Sequence, residues 1–302
     1  MVFIRHLIRH LIRRFLRRRG LDLVRISSDP GREAPLAEQL TDQLLAQGQA
    51  DLDAYPVPVE ELTWDNGFSM RTDGWNPYLR TVRDYLNGDC ESYERSALQR
   101  FYRFFQPETA ADYLCPDLPE GGPLATTDAA AYIHPWSLRS PRQRLDERRR
   151  QNREEERLAA GFSGLGTAAP RGGQPAGVNR MGPVSPEKGR IEFNRLVKLA
   201  DSINTRGYDR TMDLDIEAAA VRRGGEMRYV IVSGYHRAAV LAALGRKHIP
   251  VLLKPRQILD EALLMNAPAL RRGFWNSEEL AIYLDYLFRE TGAARAEKLG
   301  LL

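Results

Sequence analysis

Two cysteines, Cys90 and Cys115, are the only thiols in 302 residues. They stand apart in the chain, form no CxxC and have no histidine cluster beside them. That excludes a disulfide scaffold and a structural zinc, and it suits a reducing compartment. No apolar run approaches the ~20 residues that a bilayer-spanning helix requires, so no transmembrane segment is expected. Acidic residues are missing from positions 1–20, MVFIRHLIRHLIRRFLRRRG, which hold seven arginines. Those seven exceed the whole-chain charge of +4 and leave the rest at about −3 by the same count. The body therefore has no general excess of positive charge that would draw it to nucleic acid.

What the N-terminal stretch does contain is a stripe. The apolar pairs Phe3/Ile4, Leu7/Ile8, Leu11/Ile12 and Phe15/Leu16 recur every four residues, with arginine or histidine between them. On a 3.6-residue helix this spacing drifts slowly and builds one apolar face flanked by cations. The expectation is an amphipathic helix over 1–20 lying on an anionic membrane surface, on a protein that is otherwise cytoplasmic. The segment has neither the apolar centre nor the small-residue cleavage site of a secretory signal peptide.

Beyond a polar stretch (29–54), VPVEELTW (57–64) reads as a short strand. NPYLRTVRDYLNG reads as a helix opened by Asn76-Pro77 and ended by Asn87-Gly88. ESYERSALQRFYRFFQPETAADYL reads as a second, its aromatic stripe (Tyr93, Phe101, Phe104, Phe105) forming core. Residues 139–157, with eight arginines and five acids, read as a solvated helix. Residues 161–189 hold eight glycines and four prolines and form a loop or linker. A helix capped by Ser185 with Pro186 at its first position runs to a stop at Gly207. A short strand around 211–217, a Gly224-Gly225 turn, the strand RYVIV, a helix over 237–245 and the strand HIPVLL (248–253) follow. PRQILDEALLMNAP and SEELAIYLDYLFRETG complete a helical tail. The resulting segments are 1–20, 55–160, 161–189, 190–254 and 255–302, and the fold class is α+β.

The chemistry concentrates in Ser233-Gly234-Tyr235-His236-Arg237. A glycine ending a strand permits a sharp turn and brings main-chain N–H groups toward whatever lies in it. The unsatisfied N–H groups and positive dipole end of the next helix point the same way. His236 and Arg237 in that first turn complete a phosphate cradle, since arginine grips phosphate oxygens bidentately and histidine donates or becomes cationic near neutral pH. A plain strand–helix joint with two polar neighbours fits the same residues, and the residues alone leave both readings open.

The order of residues over 189–253 resembles the ParB/sulfiredoxin-like domain. LVKLADSINTRGY stands for its helix ending in Ser-Ile or Thr-Ile, RYVIVSGYHRAAVLAALG for its Gly-x-His-Arg turn and alanine-rich helix, and KHIPVLL for its Ile-Pro-Val strand. VPVEELTW resembles the domain's first strand, with a large aromatic-rich helical insertion following it. The resemblance covers about a third of the chain and implies a small mixed sheet flanked by helices that binds ATP or ADP. It implies phosphate contacts at Ser233, Gly234, Tyr235, His236 and Arg237, and further nucleotide contacts from Arg195, Lys198 and Ser202. Those three are spaced i, i+3, i+7 and share one helix face.

Tyr235 stands where sulfiredoxins carry their cysteine and partition proteins a glutamate, and only about fifty residues follow the domain. The nearest variant is the Gly-x-His-Arg turn of the family's small-molecule kinases, which commonly have aspartate where Ser233 stands. Such kinases use a carboxylate base; by position it is Glu187, with Glu192 as the alternative, beside His236. Mg²⁺ is implied by phosphoryl transfer, although no dedicated metal-ligand motif is present. Residues 64–160 are similar, more loosely, to uncharacterised proteins encoded among bacterial surface-polysaccharide genes. The leading expectation is thus a phosphotransferase acting on a small molecule or glycan precursor. A non-catalytic nucleotide-dependent regulator or adaptor of polysaccharide assembly is the first alternative, and a ParB-like nucleic-acid binder or nuclease the second.

Overall fold

The computed structural model describes residues 54–162 and 179–302. The expected amphipathic helix and most of the Gly/Pro-rich segment lie outside the described residues.

The expected first strand is two strands. β1 (Tyr55–Pro58) and β2 (Leu62–Thr63) are separated only by a 3₁₀ turn, Val59–Glu61. Three longer strands follow: β3 (Ile216–Arg223), β4 (Glu226–Ser233) and β5 (His248–Asp260). They form one five-stranded mixed sheet in the order β1-β5-β3-β4-β2. β1 runs antiparallel to β5, β5 parallel to β3, β3 antiparallel to β4, and β4 parallel to β2. The two edge strands are therefore neighbours in sequence. Laid flat, five strands span about 19 Å at the usual inter-strand spacing. A three-residue 3₁₀ turn covers only about 6 Å, so the sheet has to curl until its edges approach.

Two segments depart from the expected elements. β3 begins at Ile216, and the segment before it forms a helical turn, Arg210–Asp213, rather than a strand. PRQILD, expected as helix, continues β5: Ile258 and Leu259 pair with Ala220 and Val221 after a bulge. Parallel pairing with β3 outweighs the weak helical pattern there. The middle of β3, Ala218-Ala219-Ala220, is buried throughout, as suits a strand covered on both faces.

The helices are α1 (Pro77–Leu86), α2 (Ala97–Phe104), α3 (Ala110–Leu114), α4 (Pro141–Phe162), α5 (Pro186–Arg206), α6 (the Arg210–Asp213 turn) and α7 (Tyr235–Ala243). After β5 come α8 (Glu261–Met265), α9 (Pro268–Arg271), α10 (Ser277–Arg289) and α11 (Ala293–Lys298). None of the helices described is long and apolar enough to cross a membrane. Asn76 caps α1 as expected, accepting from the N–H groups of Tyr78 and Leu79. The second expected helix is broken into a 3₁₀ turn, α2 and α3, because Ser96 and Thr109 each start a new helix and Pro107 lies between. α4 is present, but one of its arginines, Arg148, is buried rather than solvated.

Ala238, Ala239 and Ala242 make a thin, buried face on α7 that lets it pack closely on α1 and α5. Below this lies an aromatic nest in which Trp64 meets Tyr78, Phe68, Phe101 and Tyr235 edge-on. One hydrophobic cluster runs from Val57 to Leu301 through the described residues.

Candidate functional site

β4 ends at Ser233, which pairs with Glu217, and the chain turns at Gly234 with φ 83° and ψ 25°. This is the left-handed region, where a side chain is strained. Space is tight as well, because a Cβ on Gly234 would lie 3.0 Å from the Ile216 Cα. Gly234 is the N-cap of α7 and no side chain caps the helix, so the first-turn N–H groups lack a side-chain acceptor. Arg237, in that turn, donates to the Asp213 carbonyl. Burial holds its pKa below the ordinary arginine value, against the pull of Tyr208, Asp215, Asp213 and Glu217.

His236 points at α5. Its Nε2 lies 2.9 Å from Glu192 Oε2, and Arg195 donates to the other oxygen of the same carboxylate at 2.6 Å. Its ring rests against Tyr78 at a centroid distance of 4.7 Å. The Glu192 side chain is 1% exposed. Burial opposes its ionisation, yet the His236 hydrogen bond and the charges of His236, Arg195 and Lys188 outweigh that and hold its pKa below the usual carboxylate value. An ionised carboxylate only accepts, so His236 donates through Nε2 and keeps Nδ1 for other work.

The three residues expected to share a nucleotide-binding face lie on α5 and have different neighbours. Arg195 is brought to His236 by their common partner. Lys198 is exposed, and Ser202 accepts from Arg206, which is paired with Asp213. Glu187 is exposed in the first turn of α5, where Ser185 caps the helix by accepting from the Lys188 N–H. Glu192, one turn further on, is the carboxylate that meets the Gly234 turn. Among the described residues no three His, Cys, Asp or Glu side chains gather as a metal site. Any Mg²⁺ here would be held chiefly by the phosphates of its nucleotide, as is common for this ion.

Tyr235 turns inward and opens onto a second group of residues that sequence reasoning missed. Its hydroxyl accepts from Arg180, and its ring meets Trp64. Arg180 also donates to Tyr132 and, at 3.0 Å, to Asp65. Asp65, fully buried, further accepts from Tyr113 at 2.8 Å and Tyr132 at 2.5 Å, and lies 3.0 Å from His134 Nε2. Burial opposes the Asp65 charge, but Arg180, His134 and Tyr132 hold its carboxyl well below the usual range. Arg180, opposed by burial, is in turn held well above its ordinary value by Asp65 and the surrounding tyrosines. Burial raises the Tyr235 phenol well above its usual pKa. The local signals were Trp64-Asp65-Asn66-Gly67 and the Tyr-Ile-His-Pro-Trp run 132–136. Nothing in either pointed to the other across the separation of 69 positions from Asp65 to His134.

The arrangement offers uncapped helix N–H groups and an arginine for an anion, with a carboxylate–histidine pair beside them for proton transfer. Compared with known protein families, curated proteins and solved structures, the chain matches none.

Proposed function

We propose that this protein binds ATP or ADP with its phosphates at the Gly234 turn and passes a phosphoryl group to the hydroxyl of a small molecule or glycan precursor. The observation that carries this reading is the uncapped, left-handed Gly234 start of α7 beside the His236–Glu192 pair. The strand–glycine–helix order around it also supports the ParB/sulfiredoxin-like reading of residues 190–254. N–H donors and Arg237 would bind the phosphates, with Arg237 exchanging the Asp213 carbonyl for phosphate oxygens. Glu192 is the positioning residue, and His236 Nδ1 is the base. The acceptor O–H gives its proton to Nδ1, its oxygen forms a bond to the terminal phosphorus, and the leaving nucleotide, ADP from ATP or AMP from ADP, takes the electrons of the broken P–O bond. Attached by residues 1–20, the protein would do this at the inner face of a cell membrane.

A nucleotide-switched regulator is the second reading. Its support is that both Glu192 oxygens are engaged, one by His236 and one by Arg195, which leaves that carboxylate a weak base on its own. Titration of the purified protein with ATP, ADP and CTP, with phosphate release and transfer followed in parallel, separates the two. His236→Ala is expected to lower turnover at least about a hundredfold, the usual span of a general base, and Arg237→Ala to weaken nucleotide binding. Binding without turnover under any acceptor favours the switch, and absence of nucleotide binding rejects both readings.

A further inference from the structure

Leu214, between α6 and β3, holds a backbone conformation that its side chain opposes. With φ 69° and ψ 168° it is the one non-glycine residue at positive φ among the described residues. That region is essentially reserved for glycine, and an L side chain held in it is strained. Burial offers little in return: Leu214 is 38% exposed and its neighbour Met212 70%.

The strain persists because both peptide units flanking Leu214 are clamped through their oxygens. The Tyr208 hydroxyl donates to the Leu214 carbonyl at 2.7 Å, and the Arg237 guanidinium donates to the Asp213 carbonyl. Fixing the two peptide planes fixes φ and ψ between them. Within the segment, the Asp213 carboxylate also accepts from Arg206 and from the Asp209 N–H, each at 3.0 Å. Arg237 is the clamp that comes from the Gly234 turn. Its guanidinium lies 3.1 Å from the point that a Cβ on Gly234 would occupy.

One side chain thus has two competing uses. A backbone carbonyl offers Arg237 a single neutral acceptor, whereas a phosphate offers two oxygens and a negative charge. When the guanidinium moves to phosphate, the Asp213 carbonyl loses its donor and Leu214 is free to leave the strained region. We propose that residues 208–215 are a strained latch on the Gly234 turn, held shut by Arg237 and released by the nucleotide phosphate that takes Arg237. The proposal rests on the reading that phosphates bind at this turn. It couples occupancy of the turn to the exposed surface around Met212 and Leu214. The free energy of opening is subtracted from that of binding, so the latch has a signed effect on affinity.

Hydrogen exchange of the full chain, followed by mass spectrometry, reads the latch directly, with α10 as the reference. The N–H groups of Asp209, Met212 and Asp213 are bonded inside the segment and report its opening. ATP is expected to speed exchange over 208–215 and leave α10 unchanged, the reverse of simple protection by a ligand. Arg237→Met, which removes the guanidinium, should speed the same exchange without ATP. Tyr208→Phe removes the other clamp. It should raise exchange over 208–215 roughly fivefold, the worth of one ordinary hydrogen bond, and tighten ATP binding in calorimetric titration by up to that factor. Leu214→Gly, which removes the strain, should act in the opposite sense on both readouts.

If ATP binds and exchange over 208–215 is unchanged or slower, the latch is overturned and the nucleotide site stands. A Tyr208→Phe protein whose segment loosens while ATP binds no more tightly shows a role in folding alone, and this also overturns it. Unchanged exchange in Arg237→Met rejects the clamp. Should that variant fold poorly, Tyr208→Phe, which alters one hydroxyl, still decides. If ATP does not bind at all, the nucleotide reading falls and takes the latch with it.

Discussion

Asp65 is the residue on which most of the buried polar chemistry converges. Its carboxylate is taken out of water and answered by Arg180, Tyr113, Tyr132 and His134, and its carbonyl accepts from Tyr283. Removing the charge while keeping the shape, as in Asp65→Asn, leaves Arg180 buried without its counter-ion and is expected to cost about 3–5 kcal/mol. The pH dependence has a definite sign. The folded pKa lies below the unfolded value of about 3.9, so the stabilisation is fully present above pH 4 and is lost as pH falls toward the folded value. Denaturant unfolding at neutral pH should therefore separate native protein from Asp65→Asn widely, and the gap should narrow below pH 4. A gap that is constant with pH would mean the Asp65 charge is not what stabilises the network. None of these partners was legible in the chain. Each lies dozens of residues from Asp65, and a lone Asp before Asn-Gly reads as a turn.

At the scale of elements, legibility followed how local the determining interaction is. α1, α5 and α10 begin where expected because each carries its own start signal: Asn76-Pro77, Ser185-Pro186 and the Asn276/Glu279 capping box. The split of VPVEELTW and the length of β5 could not be read that way, since both depend on which strand lies alongside. α10 also offers a check on how an element supports the network, because its Tyr283 reaches the Asp65 carbonyl. Asn276→Ala removes the bond to the Glu279 N–H, 2.8 Å long, and should cost about 1 kcal/mol, lowering the melting temperature by about 2–4 °C. Scanning calorimetry measures this directly, and no shift would show that packing alone sets the helix start. The Gly234 turn was legible for the same reason as the caps. A strand, a glycine and a small-residue helix specify one another within fifteen residues.

For the whole molecule the decisive feature is how charge and core are distributed. Side chains from the aromatic-rich region, the strand–helix core and the C-terminal helices share one hydrophobic cluster. The strongly basic residues 1–20 contribute the positive charge that the rest lacks. We expect deletion of residues 1–20 to abolish cosedimentation with anionic vesicles, raised salt to weaken that binding in the intact chain, and the melting transition of the remainder to stay in place. Equal sedimentation before and after deletion would retire the membrane proposal.

The sequence by itself determined the α+β class, the capped helices, the Gly234 turn and the basic N-terminal stripe, all of which depend on neighbours a few residues apart. Only the tertiary structure decided the rest. It set Glu192 rather than Glu187 against His236 and turned Tyr235 inward onto Arg180 and the Asp65 network. The physical reason is common to both. A buried charge takes the partner that packing brings within hydrogen-bond reach, and packing joins residues that the linear order keeps far apart.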